Sequence, residues 1–206
     1  MSTFHWKNVM DEHLPESLQT KLSNATIGIA GAGGLGSNCA VLLTRTGIGH
    51  LVIVDHDIVS VSNLNRQQYL PSHIGMPKVE ALKEVLLNIN PGLKLTIYQQ
   101  YMNPNNILTL FEDCQFVIEA VDNAITKKML VETLITVDYT VISASGVAGW
   151  GGLPMTQKQL GKKLLVVGDH TYGVSSINPP LAPRVNMAAS MQADAILCAL
   201  LNTKND

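Results

Sequence analysis

The sequence is poor in charge, in cysteine and in aromatic residues. Charged residues make up 15% and aromatic residues 5% of its 206 residues, and the formal net charge is −2. There is no run of lysine or arginine, so nothing indicates an electrostatic surface for nucleic acid or for a membrane. The three cysteines, Cys39, Cys114 and Cys198, show no pairing pattern and indicate reduced thiols rather than a disulfide framework. The helical position of Cys39 predicts a core residue.

Long apolar runs and an apolar signal segment are also missing. No stretch approaches the roughly 18 residues that a membrane-spanning helix needs, so we expect a cytoplasmic protein. The six histidines show no metal-ligand spacing, which favours ordinary surface or turn positions for them. Apolar residues, at 46%, occur in the short runs typical of parallel strands that are covered on both faces. The length predicts one domain over residues 1–206, with residues 1–25 as a lead-in whose short helix begins at Pro15.

Residues 27–55 follow the order of a nucleotide-binding βαβ unit. A strand leads into the glycine loop 31–36, a helix over 34–47 follows, and a second strand, Leu51–Val54, ends before Asp55. Asp55 lies roughly 20 residues beyond the loop, where an acid can accept hydrogen bonds from both ribose hydroxyls. This pattern suits a mononucleotide and a dinucleotide equally.

The glycines of the loop each have a physical reason. Gly31 lets the backbone turn sharply, Gly33 lets it approach a phosphate, and Gly36 lets the helix pack on the strand. Gly34 begins the helix, whose unpaired N–H groups face the anion. We therefore predict a phosphate-binding loop at these positions.

The residues that follow Asp55 favour a triphosphate. A dehydrogenase holds its pyrophosphate with the glycine loop and has no evident use for Asn63, Arg66 and Lys78. On a triphosphate, Arg66 can fork onto two phosphate oxygens, Lys78 can act as a point charge, and Asn63 can donate a neutral hydrogen bond. Lys78 also begins a helix predicted over 78–89. A cation is unfavourable there for the helix itself, so its placement favours a phosphate-binding role.

The rest of the chain predicts a doubly wound sheet. We expect helices over 105–113, 124–137 and 187–201 and strands over 93–98, 116–121, 140–143 and 164–167. The fold class is α/β, with a Rossmann-like, mostly parallel sheet that begins 3-2-1-4-5 and carries helices on both faces, so the fourth strand ends beside the glycine loop. Asp122 and Asn123 follow that strand. Asp122 is therefore expected near the α-phosphate. The alternative is an N-cap of the helix 124–137, and the two roles could be shared, with Asn123 as the cap and Asp122 facing a metal ion.

The C-terminal part carries three further expectations. Arg184, one of three arginines, could meet a carboxylate or lie in solvent, and the sequence favours neither. The glycines around Trp150 could let the backbone lie against an extended peptide tail. One stripe of the last helix is apolar and predicts core positions: Met187, Met191, Ala195 and Cys198.

Six words, in order over residues 31–123, resemble the ThiF/MoeB/HesA adenylyltransferases, which are relatives of the ubiquitin-activating enzymes. The words are Gly-Ala-Gly-Gly-Leu-Gly-Ser-Asn at 31–38, Asp-His-Asp at 55–57, Asn-Leu-Asn-Arg-Gln at 63–67, Gly-Met-Pro-Lys-Val-Glu at 75–80, Asn-Pro at 90–91 and Asp-Asn at 122–123.

The resemblance implies that ATP and a terminal carboxylate give an acyl-adenylate and pyrophosphate. The usual substrate is a small β-grasp protein that ends in Gly-Gly. Arg66, Lys78 and Mg²⁺ would neutralise the leaving pyrophosphate, and Asp122 would hold the magnesium or its water shell. The remaining nucleotide contacts implied by the resemblance are Asp55 at the ribose, Asn63 at a phosphate, and Asp57, Gln67 and Asn123.

Three departures from the family pattern are visible. The two Cys-x-x-Cys pairs that hold a structural zinc in relatives are missing, so we predict no zinc. No arginine precedes Arg45, so the Arg-Gln pair with which relatives reach the neighbouring subunit of a homodimer is missing, or Lys7 or Lys21 replaces it. No cysteine lies between Cys114 and Cys198, so we predict that the reaction stops at the adenylate and that a separate sulfur donor attacks it.

The length and the words Asn-Leu-Asn-Arg-Gln-Gln-Tyr and Ala-Pro-Arg-Val look most like short, single-domain ThiF-like proteins linked to the sulfur carrier of thiamine thiazole synthesis. Two related alternatives stay open: another sulfur-carrier pathway, such as that of molybdopterin, or a carboxylate on modified tRNA. An NAD-dependent oxidoreductase fits the glycine loop and Asp55 but leaves Arg66 and Lys78 idle. A non-catalytic scaffold that binds the carrier would tolerate the missing arginine.

Overall fold

A mixed sheet forms the middle layer of the protein, whose computed structural model describes residues 6–137 and 139–201. The described strands run in the order β3-β2-β1-β4-β5-β7-β6. All neighbours are parallel except β6, which pairs antiparallel with β7. The predicted order 3-2-1-4-5 is confirmed and is extended by two strands. The strands are β1 Thr26–Ala30, β2 His50–Asp55, β3 Lys94–Gln99, β4 Phe116–Glu119, β5 Thr140–Ala144, β6 Thr156–Leu160 and β7 Leu164–Gly168.

Helices cover both faces of the sheet. The described helices are α1 Trp6–Met10, α2 Glu16–Ser23, α3 Gly34–Arg45, α4 Lys78–Ile89, α5 Ile107–Leu110, α6 Ala124–Leu134 and α7 Ala182–Leu201. Side chains of α2, α3, α4 and α7 share one apolar core, and those of α5 and α6 share a second core on the opposite face. The predicted α/β fold class is therefore confirmed. None of these described helices is both long and apolar enough to cross a membrane.

The strand sequences explain the two cores. Successive side chains of a strand point to opposite faces, so an apolar run supplies both layers at once. Ile27 and Ile29 of β1 join the core beneath α3 and α7. Val52 and Val54 of β2 join the core around Phe111. This is why β2 is buried at every position.

Several predicted elements are shorter in the structure. β4 ends at Glu119 rather than at 121, because the Glu119 carboxylate accepts a hydrogen bond from the Val121 N–H at 2.9 Å and turns the chain out of the sheet. The helix predicted over 105–113 is confined to α5, because Asn106 accepts the Asn103 N–H at 2.8 Å and holds the preceding residues in turns. α6 ends at Leu134, where the Thr136 hydroxyl bonds the Thr133 carbonyl at 2.7 Å.

Smaller differences concern the loop after α3 and two short elements that the sequence did not predict. α3 ends at Arg45, and Gly47, which was expected at the end of the helix, follows two residues later with a φ of +86°. α1 lies in the lead-in ahead of the predicted helix, which is confirmed as α2. β6 was not predicted from the sequence. All of its residues are exposed, so it lacks the apolar alternation of a half-buried strand. The irregular segment 59–77 holds two single 3₁₀ turns, Val61–Asn63 and Pro71–His73.

The last helix starts earlier than predicted and buries a different face. α7 begins at Ala182 with Pro183 in its first turn. The predicted core position of Ala195 is confirmed, but the prediction is wrong for Met187, which is 50% exposed, and for Cys198, which is exposed. The buried face consists mainly of small residues, and these let α7 pack closely on α3 and β5. Its buried residues are Arg184, Val185, Ala188, Ala189, Gln192, Ala193, Ala195 and Ile196.

Buried thiols and imidazoles complete the core. Cys39 is fully buried, as predicted, and burial raises its pKa. Cys114 is also buried, which raises the pKa of its thiol to about 12. The expectation of surface or turn histidines is wrong for His50, which is buried in β2, whereas His73 lies in a turn and is buried there. His50 lies between the Thr26 and Thr96 hydroxyls, at 3.4 Å and 2.9 Å, so its ring nitrogens have partners on both neighbouring strands.

Candidate functional site

The glycine loop lies where the strand order reverses, between the carboxyl ends of β1 and β4. Gly31 follows β1 directly and turns with a φ of +101°. A Cβ atom at Gly31 would lie 2.8 Å from the Ala120 carbonyl oxygen, and one at Gly36 would lie 1.8 Å from the Gly31 carbonyl oxygen. The sharp turn and the close helix packing that the sequence predicted are both present.

Gly33 leaves the middle of the loop open, whereas Gly34 packs against Val185 and Arg66. Among the described residues, a Cβ atom at Gly33 would meet only Nε2 of Gln67, at 4.0 Å. Gly33 is the N-cap of α3, so the free N–H groups at the start of this helix border the same space. Gly34 lies under the Arg66 stem, because its Cβ would be 3.6 Å from Arg66 Cδ. An anion at this point would meet a helix N-terminus and a guanidinium together.

Asp55 organises the loop in addition to facing the cleft. Its Oδ2 accepts the Ala32 N–H at 2.6 Å, and its Oδ1 accepts the Asp57 N–H at 2.7 Å. These two backbone bonds fix the orientation of the buried carboxylate. A carboxylate has about four acceptor positions, so acceptor capacity for ribose hydroxyls is left.

Lys78 projects into the cleft from the first turn of α4. Its side chain is 8% exposed, and its Nζ lies 2.7 Å from Asp57 Oδ2. Asp57 is half exposed and also lies 3.1 Å from Nε2 of His56. Lys78 is thus a largely desolvated cation, and the water-accessible carboxylate of Asp57 holds it at the cleft.

Tyr69 is a buried link between the glycine loop and α4 that the sequence did not reveal. Its hydroxyl donates to the Ala32 carbonyl at 2.6 Å and approaches the Lys78 carbonyl at 3.3 Å. Burial raises the pKa of this hydroxyl, with smaller contributions from the Asp55 and Asp57 carboxylates. The loop and the lysine therefore share one rigid support.

Arg66 is held over the loop by Asn38 of α3. The Asn38 amide donates to the Gly34 carbonyl at 2.6 Å and to the Arg66 carbonyl at 2.9 Å. The Gln68 amide closes the arrangement by donating to Asn38 Oδ1 at 2.5 Å. The guanidinium itself bonds the Ser62 carbonyl at 3.0 Å and Asn65 Oδ1 at 2.7 Å, both through Nη1. Its outer edge therefore keeps donors available for a ligand.

Two polar neighbours of Arg66 also line the cleft. Asn63 Oδ1 accepts the Ser60 N–H at 3.0 Å, which closes a turn and leaves its amide group to donate. Gln67 is buried, and its Oε1 has no hydrogen-bond partner among the described residues. A buried amide oxygen without a donor is costly, so Gln67 is suited to a ligand that supplies one.

Asp122 and Asn123 divide two roles between them. Asn123 Oδ1 accepts the N–H groups of Ile125 and Thr126, at 2.9 Å and 3.0 Å, so the predicted N-cap is confirmed. Asp122 is exposed, lines the cleft and forms no hydrogen bond or ion pair with another described residue. Its carboxylate is therefore the one at this edge that a cation could engage without breaking an existing contact.

A buried ion pair behind Asp122 was not predicted. Glu119 at the end of β4 is fully buried, and its Oε2 contacts Lys127 Nζ and accepts the Ser143 hydroxyl at 2.6 Å. Lys127 also donates to the Ala144 carbonyl at 3.1 Å. The apolar run around Glu119 and the strand-end position of this acid were the signals that could have indicated it. The pair joins β4, α6 and β5 directly beneath the turn that carries Asp122.

Arg184 is buried in the first turn of α7. It meets a carboxylate, which is one of the two environments expected for it. Its Nη2 donates to Asp169 Oδ2 at 2.5 Å, and its Nη1 contacts the Gly151 carbonyl. Asp169 Oδ1 accepts the N–H groups of Thr171 and Tyr172, at 2.8 Å and 2.9 Å. Arg184 thus joins α7 to the loop after β7 through Asp169, and to the glycine-rich segment around Trp150 through the Gly151 carbonyl.

These elements enclose one cleft of about 970 Å³. It extends from the glycine loop past the Asp122 turn to the segments 144–147 and 172–174. Gly36, which packs beneath the loop, does not line it. The predicted site residues that do line it are Gly31, Gly33, Gly34, Asp55, Asp57, Asn63, Arg66, Gln67, Lys78, Asp122 and Asn123.

The described part of the N-terminal lead-in, residues 6–25, does not line the cleft. Lys7 borders a separate cavity of about 390 Å³ together with Gly49 and Leu93, which precede β2 and β3 at the other end of the sheet. Lys7 also pairs with Asp11 at 2.7 Å. Neither Lys7 nor Lys21 lines the cleft of its own chain.

Among the described residues, one group of acids and histidines has the spacing of a metal site. It consists of Asp55, His56 and Asp57, whose ligand atoms lie within 4.8 Å of one another. Asp55 already binds two backbone N–H groups, and Asp57 already pairs with Lys78. Asp122 is freer to meet a cation, although it lies outside this group.

A doubly wound sheet with a glycine loop, a strand-end acid and converging cations at its switch point defines a nucleotide-binding α/β domain. The ThiF family matches residues 6–206, and the chain belongs to this family, the ThiF/MoeB group of E1-like adenylyltransferases.

Named relatives and solved structures agree with this assignment. The adenylyltransferase and sulfurtransferase UBA4 of Candida glabrata is 31% identical over 195 residues, which cover 91% of this chain and 45% of that protein. The chain thus spans less than half the length of this curated relative. The AMP complex of E. coli tRNA N6-threonylcarbamoyladenosine dehydratase, TcdA, superposes with a TM-score of 0.84 at 21% identity over 94% of this chain and 92% of that one. E. coli MccB, solved with AMPCPP and MccA, gives 0.72 at 22% identity over 89% and 58%. These structures share the fold.

Proposed function

We propose that the protein uses ATP to adenylate the C-terminal Gly-Gly carboxylate of a small β-grasp sulfur carrier protein, with release of pyrophosphate. The observation that carries the proposal is the convergence of Arg66, Lys78, Asn63 and Asp122 on the open glycine loop in one cleft. An oxidoreductase would leave these cations idle, and a scaffold would not need a desolvated lysine.

The triphosphate would lie between the α3 N-terminus and the two cations. Lys78 can exchange its contact with Asp57 for phosphate oxygens, because Asp57 is half exposed and returns to water at little cost. Arg66 would present the outer edge of its guanidinium, and Asn63 its amide group. Both cations would then oppose the negative charge that develops on the leaving pyrophosphate.

The donor set also fits Mg²⁺. The exposed carboxylate of Asp122 is an oxygen ligand of the kind that this ion prefers, and it makes no competing contact with another described residue. Bound magnesium would neutralise phosphate charge. Asp122 would hold the ion or its water shell, and the Asn123 cap would keep the turn in place.

The far end of the cleft suits an extended tail that ends in a carboxylate. Gly146 and Gly173 line this end and carry no side chain that would block a backbone beside them. A carboxylate oxygen placed there attacks the α-phosphorus, a new P–O bond forms, and the bond to the β-phosphate breaks. The pyrophosphate takes the bonding electron pair and leaves. Alignment of the weak nucleophile supplies much of the rate.

We further propose that this chain does not form a covalent link to the carrier. Cys39 and Cys114 are buried, and Cys198, which is exposed, does not line the cleft. A separate sulfur donor would attack the adenylate. The word sulfurtransferase in the name of UBA4 supports a sulfur carrier as the substrate.

The finer assignment is to thiamine thiazole synthesis, on the words Asn-Leu-Asn-Arg-Gln-Gln-Tyr and Ala-Pro-Arg-Val. We also propose a homodimer, the assembly that the resemblance implies. A carboxylate on tRNA is the second candidate, because the fold is shared with TcdA. The formal net charge of −2 argues against a nucleic-acid surface.

One assay tests the proposal. The purified protein is given ATP, Mg²⁺ and labelled pyrophosphate, with a Gly-Gly-ended carrier, with the same carrier truncated by its last two residues, or with tRNA. We expect exchange of label into ATP only with the intact carrier. Exchange that depends on tRNA would replace the substrate assignment, and an absence of exchange with every partner would overturn the adenylation itself.

A further inference from the structure

Both polar backbone groups of Ala32, in the glycine loop, are held by buried side chains. The Tyr69 hydroxyl donates to the Ala32 carbonyl at 2.6 Å. The Ala32 N–H donates in turn to Asp55 Oδ2, also at 2.6 Å. Tyr69 and Asp55 are both buried. These two contacts fix the orientation of the peptide bond that joins Ala32 to Gly33.

The direction of the Ala32 carbonyl decides where the Gly33 N–H points. The described residues contain no cis peptide bond, and in a planar trans peptide the C=O and N–H groups point in opposite directions. Since the carbonyl is directed at Tyr69, the Gly33 N–H is directed away from it. This N–H forms no hydrogen bond with any described residue. Gly33 also lines the cleft, so a ligand can reach this donor.

Glycine at position 33 makes the opposite orientation accessible. A flip of the peptide changes ψ of Ala32 and φ of Gly33, which is −80° in this structure. Glycine adopts positive φ about as readily as negative φ, so the backbone itself opposes the flip weakly. The flipped peptide would present a carbonyl oxygen to an anion instead of an N–H donor. A hydrogen bond to the Ala32 carbonyl therefore selects the orientation that suits an anion.

We propose that Tyr69 is a positioning residue, whose hydroxyl holds the Ala32–Gly33 peptide with its N–H toward the phosphates of the bound nucleotide. The inference rests on the proposed function, because it needs a phosphate chain at the glycine loop. Tyr69 does not line the cleft, so it acts through the peptide.

The tyrosine ring is itself well fixed. It is 5% exposed and meets the His73 ring edge-on, with 6.4 Å between the ring centroids. Burial raises the pKa of the Tyr69 hydroxyl, so the group keeps its proton at neutral pH and remains a donor. The hydroxyl oxygen also lies 3.3 Å from the Lys78 carbonyl oxygen. A test must therefore separate an effect on the Gly33 peptide from an indirect change at Lys78.

The test removes the hydroxyl and keeps the ring. Binding of ATP, inorganic tripolyphosphate and adenosine, each with Mg²⁺, is measured by NMR titration for wild type, Tyr69→Phe and Tyr98→Phe. Tyr98→Phe is the matched control, because it loses the same atom from a residue of β3 that does not line the cleft. We expect Tyr69→Phe to weaken ATP and tripolyphosphate binding by about 3-fold to 10-fold, since one neutral hydrogen bond favours the binding orientation. Adenosine binding should stay unchanged, and Tyr98→Phe should bind all three ligands like wild type.

A second measurement needs no variant. In isotope-labelled wild type, tripolyphosphate should shift the Gly33 amide proton downfield, because this N–H gains a phosphate acceptor. The Ala32 amide proton, whose acceptor is Asp55, should move much less. A Gly33 amide that does not respond to bound tripolyphosphate would overturn the positioning role, even if Tyr69→Phe failed to fold.

The remaining outcomes decide between the routes. Unchanged binding of both phosphate ligands in Tyr69→Phe would overturn the proposal and leave the ATP site standing, and so would an equal weakening of adenosine. In a cycle with Lys78→Met, the effects of the two substitutions on tripolyphosphate binding should add. If Tyr69→Phe has no effect once Lys78 is replaced, the hydroxyl acts through the lysine and the proposal is wrong. A wild-type protein that does not bind ATP would instead overturn the proposed function.

Discussion

Lys78 is joined to Asp57 through both its side chain and its backbone. Nζ lies 2.7 Å from Asp57 Oδ2, and the Lys78 N–H donates to the Asp57 carbonyl at 2.9 Å. The end of β2 and the start of α4 are thereby fixed to each other. A cation at the start of a helix is unfavourable for that helix, and here a carboxylate from the neighbouring strand end offsets the cost.

Removing the charge of Lys78 should strongly lower activity and spare the fold. We expect Lys78→Met to lower the rate of carrier-dependent pyrophosphate exchange by about 100-fold, since one preorganised charge on the leaving group is lost. Lys83→Met is the control, because Lys83 lies on the same helix and forms only an exposed pair with Glu80 at 3.5 Å. Equal loss of activity in both variants would show that α4 itself, and not the charge of Lys78, is being measured.

Substitutions of the adjacent residues Asp122 and Asn123 should have different effects. Asp122→Asn is expected to leave the free energy of unfolding in urea near wild type and to raise the Mg²⁺ concentration needed for half-maximal exchange. Asn123→Ala removes the cap of α6 and should cost about 1 kcal/mol of stability. An Asp122→Asn variant with an unchanged Mg²⁺ dependence would contradict the metal role.

The Glu119–Lys127 pair should be needed for stability as a pair. Lys127→Met leaves a fully buried carboxylate without its charged partner, and we expect a loss of about 3 kcal/mol in urea unfolding. The double variant with Glu119→Gln should recover much of that loss, because the uncompensated charge is gone. Lys128→Met, on the exposed face of the same helix, should stay near wild type. A double variant as unstable as Lys127→Met alone would point to lost packing instead.

His50 should make stability depend on pH in the mildly acidic range. Burial lowers the pKa of His50, and the nearby Lys94 lowers it further. Between the ordinary histidine value of about 6.5 and this lower value, the unfolded chain binds a proton that the folded chain does not. Stability attributable to His50 is therefore complete above about pH 6.5 and is lost as the pH falls through the folded-state pKa.

Urea unfolding at pH 7 and pH 5.5 checks this expectation for His50. His50→Gln should lose less stability between the two pH values than wild type. His13→Gln, which changes an exposed histidine of the lead-in, should keep the wild-type difference. The same pH difference in all three proteins would exclude His50 as the cause.

Much of this architecture could be predicted because local pattern and tertiary environment agree. The glycine loop, the α4 boundaries and the strand order follow from apolar spacing and from glycines with steric reasons. The residues assigned to the nucleotide could be placed at one sheet edge from topology alone. Their roles toward ATP remain predictions that the experiments above address.

The misses among the buried polar residues have a common cause, which is burial by partners distant in sequence. Arg184 and Gln192 lie on the buried face of α7, where Gln192 Nε2 donates to the Glu119 and Ile142 carbonyls at 3.0 Å each. Without knowledge of those carbonyls, the stripe that begins with Met187 is the more apolar face of the helix and is therefore predicted to be buried. Glu119 was likewise taken as part of a plain strand because its partners, Lys127 and Ser143, lie on other elements.

The sheet ends at β6, a strand whose side chains are all exposed and whose outer backbone edge pairs with no described strand. Such an edge is open to pairing with a second chain and therefore to aggregation, which proteins counter with charged and polar side chains. Here Lys158 lies at the centre of the sequence Thr-Gln-Lys-Gln-Leu, where its charge opposes pairing of this edge with a second chain. A branched apolar residue at position 158 would leave the nucleotide cleft intact and shorten the working life of the protein in concentrated solution.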